Sequence, residues 1–233
     1  MIITHNSLLH GAKNARGTAV IIDVYRAFTC TPLLFSLGIR SSLLAATPQE
    51  AFKLKKEDDK LILIGEIGGA PIEGFDFGNS PSQLLDASSG TFKGRTVVQR
   101  TSSGVQGALA AMKSADEVLL GSYSVAGATA NYLLASRPRE VSLVAMGWDL
   151  KQLAPEDECC ARYMAHLLDD RPYNHLQALH EIVFHESTQK FLRGDRSYFP
   201  PEDPILCLQR DVYDFALRAR QAAGVVQVQK VYS

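Results

Sequence analysis

Short apolar runs recur along the first two thirds of the chain and alternate with stretches of helical character. The runs are continuous and rich in β-branched residues, which is typical of parallel strands covered on both faces. They predict strands at residues 18–24, 42–45, 61–64, 94–98, 117–121 and 141–146. A sheet with alternating strands and helices is therefore expected.

The segments between these runs predict helices of about ten residues. Thr47, Pro48, Gln49 and Glu50 follow the order of a capping box, with the cap at Thr47 and Glu50 three residues later. Strand and helix alternation implies right-handed crossovers and a mostly parallel, mixed sheet. The predicted fold is α/β, a three-layer α/β/α sandwich.

The pattern changes from about residue 155, where an acidic helix start precedes mainly helical sequence. Helices are expected through residues 175–191, an irregular connection at 193–204, and a last helix at 211–223. Valines at 225–231 predict a closing strand at a sheet edge. The chain shows no linker, repeat or low-complexity tract, so we expect one domain spanning 1–233.

Amino-acid composition argues against several classes of binding partner. The chain has 233 residues, 46% hydrophobic and 21% charged, with 24 Lys and Arg against 25 Asp and Glu. This balance argues against a nucleic-acid or membrane-surface partner, which would need a basic patch. No membrane-spanning run or signal peptide is recognised, so a cytoplasmic protein is expected. The four cysteines form no CxxC pair, which argues against structural zinc.

Residues 65–81 form an unusually glycine-rich connection after the third predicted strand. Glu66, Glu73 and Asp76 supply carboxylates, while Phe75 and Phe77 argue for an ordered loop. Long ordered connections are often functional, although an ordinary surface loop is the alternative.

Polar residues follow several of the predicted strands. In parallel sheets ligands bind beyond the carboxyl ends of the strands, so these residues are expected along one edge. They are Asp23, Arg26, Glu66, Asp76, Arg100, Thr101, Ser102, Ser103 and Ser122. Carboxylates suit Mg²⁺, and arginines and helix N-termini suit phosphate. GxxxxGK[ST], GxSxG, HExxH and the cysteine-phosphatase spacing are all absent.

Each of these residues also has a structural interpretation. A buried acid after a strand can serve hydrogen bonding alone, arginines can form ion pairs, and serines can cap helices. Cys30 is either a nucleophile or an inert buried side chain. These alternatives remain open on the residues alone.

Several segments, taken in order, resemble the 2-phosphosulfolactate phosphatase family. They are residues 23–31, 65–69, 74–81, 101–104 and 121–122, with 155–158, Phe199, Pro200 and Asp203 fitting its C-terminal pattern. The most specific is Gly-Phe-Asp-Phe-Gly-Asn-Ser-Pro at 74–81. The resemblance extends from about Val20 to Val212.

The resemblance implies an α/β/α fold and a Mg²⁺-dependent phosphatase that converts 2-phosphosulfolactate to 3-sulfolactate on a route to coenzyme M. The implied catalytic residues are Asp23, Arg26, Glu66 and Asp76, with Asp23, Glu66 and Asp76 also holding the metal. The implied phosphate-binding residues are Thr29, Thr31, Arg100, Thr101, Ser102, Ser103, Gly104 and Ser122. The family's size makes a homodimer a further hypothesis.

The chain departs from the family pattern at Tyr25, Phe28 and Cys30, and at the segment 100–104. The acids and Arg26 are retained, so the reaction type is better supported than the substrate. Which acid is ligand, base or nucleophile stays open. The alternative is a protein that binds a phosphorylated or sulfonated metabolite without turning it over.

Overall fold

Strands and helices alternate along most of the chain, and the computed structural model describes all residues from Met1 to Ser233. The strands are β1 (Ile2–Ser7), β2 (Thr18–Ile22), β3 (Ser41–Leu44), β4 (Ile62–Ile67), β5 (Ala70–Pro71), β6 (Thr96–Arg100), β7 (Glu117–Gly121), β8 (Glu140–Ala145), β9 (Ala216–Ala222) and β10 (Val225–Val231). The helices are α1 (Leu8–Lys13), α2 (Ala27–Ser36), α3 (Pro48–Glu57), α4 (Pro81–Leu85), α5 (Gly104–Ala111), α6 (Ala126–Ser136), α7 (Pro155–Asp169), α8 (His175–Val183), α9 (Glu186–Leu192) and α10 (Glu202–Cys207), with a 3-10 turn at Tyr123–Val125. All six strands predicted from apolar runs are present.

The strands form one mixed 10-stranded sheet in the order β1-β8-β2-β7-β9-β10-β3-β6-β4-β5. The block β1-β8-β2-β7 is parallel, and so is the block β3-β6-β4. The antiparallel hairpin of β9 and β10 joins the two blocks, so the blocks run in opposite senses through the ladder.

Helices cover both faces of the sheet, as the predicted three-layer sandwich requires. Ala19 and Ile21 of β2 pack into a core cluster with α1, α2 and α5. Val20 and Ile22 of the same strand point the other way and pack with α6, α7 and α8. Because successive side chains of a strand face opposite ways, a strand buried on both sides must be apolar throughout.

The predicted capping box at α3 is confirmed. The Thr47 hydroxyl accepts a hydrogen bond from the Glu50 amide at 3.2 Å, and the Glu50 carboxylate accepts one from the Ala46 amide at 2.7 Å. The first contact satisfies a backbone donor that the helix N-terminus leaves free, and the second ties the residue before the cap to the first turn.

The C-terminal segment corrects two predictions. Residues 211–223 were expected to be helical, but they contain β9, in which Leu217 and Ala219 face the core and Arg218 and Arg220 alternate with them. Pairing on both sides outweighs the helix propensity of alanine, leucine and arginine here. The closing strand β10 lies between β9 and β3 rather than at a sheet edge.

Strand β1 is a further element that the apolar pattern did not predict. It pairs in parallel with β8 and forms one edge of the sheet. No helix of the chain is both long and apolar enough to cross a membrane.

Candidate active site

An open cleft lies where segments following β2, β4, β6 and β8 meet helices α7 and α9. Its walls combine acids, two cations, small loop residues and aromatic rings. The lining residues are Asp23, Tyr25, Arg26, Glu66, Gly68, Gly69, Asn79, Ser102, Ser103, Gly147, Trp148, Asp149, Glu156, Lys190, Phe191 and Phe199. This is the candidate active site.

The sheet's twist brings these segments together. β2 and β4 run in opposite senses and are six steps apart in the sheet. Adjacent strands rotate by about 20° per step, so six steps turn the strand direction through more than a right angle. The carboxyl ends of the two parallel blocks therefore meet, and the Gly104 amide after β6 donates to Asp23 after β2.

Asp23 is buried and held by two helix N-termini. Its Oδ1 accepts from the Ala27 amide of α2 at 3.2 Å, and its Oδ2 accepts from the Gly104 amide of α5 at 2.6 Å. Burial raises the pKa of Asp23 to about 7, and the negative charge of Glu66 adds to the rise. The carboxylate is thus fixed in place, and burial without a counter-charge makes its ionisation costly.

Glycine at position 104 is required by this contact. A Cβ there would lie 2.6 Å from Asp23 Oδ2 and 3.1 Å from Ala27 Cβ. The close approach of the α5 backbone to Asp23 therefore depends on the absence of a side chain.

Glu66, at the end of β4, is oriented by the backbone of two loops. Its Oε1 accepts from the Ser102 amide at 2.5 Å, while its Oε2 accepts from the Gly69 amide at 2.6 Å and the Ser102 hydroxyl at 3.2 Å. Arg100 donates to the Glu66 carbonyl oxygen at 2.8 Å. Arg100 thus supports Glu66 from behind and does not line the cleft.

Arg26 is committed to contacts within the protein. Its Nη1 donates to Asp203 Oδ2 and to the Tyr198 carbonyl, both at 2.8 Å, and its Nη2 donates to the Gly69 carbonyl at 3.2 Å. The ion pair is buried, with Arg26 4% and Asp203 0% exposed. Arg26 therefore ties three chain segments together, and its charge is already compensated.

Asp203 also anchors residues 79–81, the Asn-Ser-Pro end of the glycine-rich connection. Asp203 Oδ1 accepts from the Ser80 hydroxyl at 2.9 Å, the Ser82 amide at 3.0 Å and the Ser82 hydroxyl at 2.7 Å. Asn79 is thereby placed in the cleft wall, buried, with an amide oxygen that has no hydrogen-bond partner. Asn79 therefore carries a neutral oxygen that the protein itself leaves unpaired.

A second pair of acids lies at the start of α7. Asp157 accepts from the Val24 amide at 2.7 Å and the Gly147 amide at 2.8 Å, which joins the ends of β2 and β8. Burial, with the charges of Asp23 and Glu156, raises the pKa of Asp157 well above its ordinary value. Burial likewise raises the pKa of Glu156, whose Oε2 accepts from the Ser187 hydroxyl at 2.7 Å.

The structure brings together five of the predicted site residues in the cleft wall: Asp23, Arg26, Glu66, Ser102 and Ser103. Gly104 contacts Asp23 from just behind them. The Ser103 hydroxyl makes no hydrogen bond within the protein, whereas Ser102 is engaged with Glu66 and with the Gly68 amide. The Ser102 and Gly104 amides therefore donate to carboxylates of the protein itself.

Asp76 is not brought to this site, which corrects its expected place beside Asp23 and Glu66. Its carboxylate accepts from the Leu63 amide at 2.7 Å and pairs with Lys55 at 3.1 Å, and its side chain is 40% exposed. Accordingly, no three Asp, Glu, His or Cys side chains in the chain converge on a metal position. The oxygen donors that do line the cleft include Asp23, Glu66 and Asn79.

The remaining predicted phosphate ligands lie outside the cleft wall. Thr29 donates to the Val24 carbonyl at 3.0 Å, and Thr31 donates to the Ala27 carbonyl at 3.0 Å. Both hydroxyls therefore bond to backbone carbonyls at or just before the start of α2. Thr101 accepts from the Val105 amide at 3.1 Å, and Ser122 is paired with Ser124 at 2.9 Å. These four side chains therefore form hydrogen bonds with backbone and hydroxyl groups that lie near them in the chain.

Cys30 is also absent from the cleft wall. It is fully buried among apolar side chains, and burial raises the pKa of its thiol well above the ordinary value. A thiol in this environment is a poor nucleophile.

Sequence reasoning missed the catalytic candidates from the C-terminal part. Three acids at a helix start, 156–158, are explained by the helix dipole alone, so Glu156 and Asp157 gave no separate signal. Lys190 is a single lysine in an amphipathic helix. Lys190 can be recognised as a cleft residue only from the packing of its side chain on α9 against Trp148 and Phe199.

Comparisons with known proteins agree on one family. The model of the family described as 2-phosphosulpholactate phosphatase matches residues 3–219. A protein of Bacillus subtilis is 28% identical over 215 residues, covering 91% of both chains. One of Carboxydothermus hydrogenoformans is 34% identical over 160 residues, covering 68% of this chain and 64% of its own. Both are named probable 2-phosphosulfolactate phosphatase.

Proposed function

Since the chain belongs to the 2-phosphosulfolactate phosphatase family, we propose that it is a phosphatase that converts 2-phosphosulfolactate and water to 3-sulfolactate and phosphate. The observation that carries the proposal is the convergence of Asp23 and Glu66 in one cleft, within a family match that spans most of the chain. The substrate is a small phosphate monoester that also carries a carboxylate and a sulfonate.

The charges of the cleft support a requirement for Mg²⁺. Asp23, Glu66 and Asp149 line it, and the only cations in its wall are Arg26, which is paired with Asp203, and Lys190. A substrate with three anionic groups would meet repulsion from these acids unless a further cation is bound. Mg²⁺ takes one or two carboxylates, neutral oxygens, waters and phosphate oxygens.

The oxygen donors present fit this ion. Asp23 and Glu66 are the carboxylates we assign to it, and the unpartnered amide oxygen of Asn79 is a neutral oxygen of the required kind. When bound, Mg²⁺ would polarise a phosphate oxygen and offset the charge that develops in the transition state.

The protein's own groups would fix the reaction geometry. Backbone amides hold both carboxylates, so little reorganisation is required when the substrate binds. The free Ser103 hydroxyl can donate to a phosphate oxygen. Water attacks phosphorus, the bond from phosphorus to the alcohol oxygen breaks, and that oxygen takes up a proton.

Glu156 is our candidate for the donor of that proton. It lines the cleft, and burial raises its pKa, which favours the protonated form that a general acid needs. Its Oε2 accepts a hydrogen bond from the Ser187 hydroxyl, which orients the carboxyl group in the cleft wall. Asp157, bonded to two backbone amides, holds the loop behind it.

Phosphate release from 2-phosphosulfolactate tests the proposal, measured with Mg²⁺ and after chelation. We expect metal-dependent release, and a loss of about 100-fold or more in kcat for Asp23→Asn and Glu66→Gln. Asp76→Asn is the matched control, because Asp76 lies outside the cleft, and it should retain kcat within about threefold.

Unchanged turnover in folded Asp23→Asn protein would remove Asp23 from the mechanism. Release that is insensitive to chelation would remove the metal. Tight binding of the substrate without any release would instead identify a binding protein.

A further inference from the structure

Lys190 is a buried cation in the wall of the cleft. It belongs to α9, is 9% exposed, and its ammonium lies over the Trp148 ring. The Phe199 and Phe191 ring centroids are 4.9 Å and 5.2 Å from Nζ. Aromatic faces attract a cation without forming an ion pair with it, so these rings hold the Lys190 ammonium in position and leave it unpaired.

No carboxylate pairs with this ammonium. Lys190 takes part in none of the chain's salt bridges and makes no side-chain hydrogen bond. Arg26, the other cation of the cleft, is bonded to Asp203, Tyr198 and Gly69. Lys190 is therefore the one cationic side chain in the cleft wall that is available to an incoming anion.

The environment of Lys190 also favours an anionic ligand. Burial lowers the pKa of Lys190 to about 7, although the charge of Glu156 opposes the shift. An unpaired buried ammonium is costly, and an anion bound beside it would offset that cost.

Lys190 and the oxygen donors of the proposed phosphate site stand on different elements of the cleft wall. The oxygen donors assigned to Mg²⁺ come from segments after β2 and β4, whereas Lys190 stands on α9 among Trp148, Phe191 and Phe199. Phosphate bound at the metal would leave the substrate's other anionic groups to be placed. The aromatic wall with its single free ammonium is the part of the cleft suited to one of them.

We propose that Lys190 binds the carboxylate or sulfonate of the substrate, and so selects phosphorylated acids over phosphate esters of neutral alcohols. This inference rests on the proposed function, because it assigns the second anion of the same substrate class. It makes Lys190 a specificity-determining residue, distinct from the groups that act on phosphate.

Four phosphate esters of one carbon skeleton test it. 2-Phosphosulfolactate has both extra anions, 2-phospholactate has only the carboxylate, 1-sulfopropan-2-yl phosphate has only the sulfonate, and isopropyl phosphate has neither. The variants are Lys190→Met, which keeps the apolar stem over Trp148, and Lys190→Arg, which keeps the charge. Lys56→Met is the matched control, because that lysine is exposed on α3 and lies outside the cleft.

We expect Lys190→Met to lower the ratio of kcat/KM for an acid substrate to that for isopropyl phosphate by about 10- to 100-fold, the usual range for a lost charged hydrogen bond. Lys190→Arg should recover part of the ratio, and Lys56→Met should leave it unchanged. The single-anion esters show which group Lys190 contacts, since only one of them should lose its advantage. An equal loss on all four esters would overturn the proposal.

Binding of 3-sulfolactate, measured by calorimetry with Mg²⁺ present, separates this proposal from the proposed function because it needs no turnover. Weaker binding to Lys190→Met than to wild type supports the role of Lys190 even if no ester is hydrolysed. Equal binding to both, or no binding to wild type, overturns it. Thermal unfolding establishes that each variant is folded, and Lys190→Gln replaces Lys190→Met in both measurements if the latter is not.

Discussion

The buried ion pair of Arg26 and Asp203 provides the sharpest test of how the site is held. Asp203→Asn keeps the side chain's shape and one oxygen that can accept from Ser80 and Ser82, but it removes the charge facing Arg26. The guanidinium then stays buried without a counter-charge. We expect lower stability and lower activity, because Arg26 also bonds the Gly69 carbonyl beside Glu66.

The magnitude follows from burial and from the contacts that remain. Removing one partner of a buried ion pair costs about 3–5 kcal/mol. Arg26 retains the Tyr198 and Gly69 carbonyls as acceptors, so we expect about 3 kcal/mol, the lower end of that range. With a slope of about 3 kcal/mol per M urea, the unfolding midpoint should fall by about 1 M.

Urea unfolding and phosphate release at neutral pH measure the two effects. Asp195→Asn is the control, because Asp195 pairs with Arg193 at the surface and its loss should not be measurable. A double-mutant cycle with Arg26→Gln should show strong coupling to Asp203. A midpoint shift below about 0.3 M for Asp203→Asn would mean that Arg26 is not held as a buried charge, and the reasoning would fail.

Two further predictions concern other contacts of the fold. Gly104→Ala should lower kcat/KM by about 10- to 100-fold, because the added Cβ would displace Asp23 and a misplaced reacting group slows the reaction on this scale. Wild-type activity in this variant would show that α5 can shift without cost. Burial acts to raise the pKa of Glu158, but hydrogen bonds from His5 and Ser7 outweigh it and lower the pKa below 4.5. The ionised carboxylate therefore stabilises the fold above pH 4.5, and this stabilisation is lost as the pH falls through the lowered pKa. Glu158→Gln should cost about 1 kcal/mol of unfolding free energy at pH 7, with the cost shrinking below pH 4.5 in urea titrations; a cost independent of pH would contradict the assignment.

The apolar runs located all six predicted strands because burial on both faces demands continuous hydrophobic sequence, which is a property of neighbouring residues. The Thr47 cap was predictable for the same reason, since its partner Glu50 is three residues away. Asp23 and Glu66 were found because residues that directly follow parallel strands lie at the edge of the sheet where ligands bind. Asp76 was misplaced because a loop sequence does not indicate which of its carboxylates turns inward.

Local sequence thus determined six of the strands, the Thr47 cap of α3 and two of the acids in the cleft. The sheet order, the reversal at β9 and β10 and the contribution of α9 were decided by tertiary structure. The contacts that build the cleft join residues far apart in the chain: 81 positions separate Asp23 from Gly104, and 177 separate Arg26 from Asp203. Such contacts depend on the twist of the whole sheet and on the pairing of buried charges. Neither of these leaves a periodic pattern in the sequence.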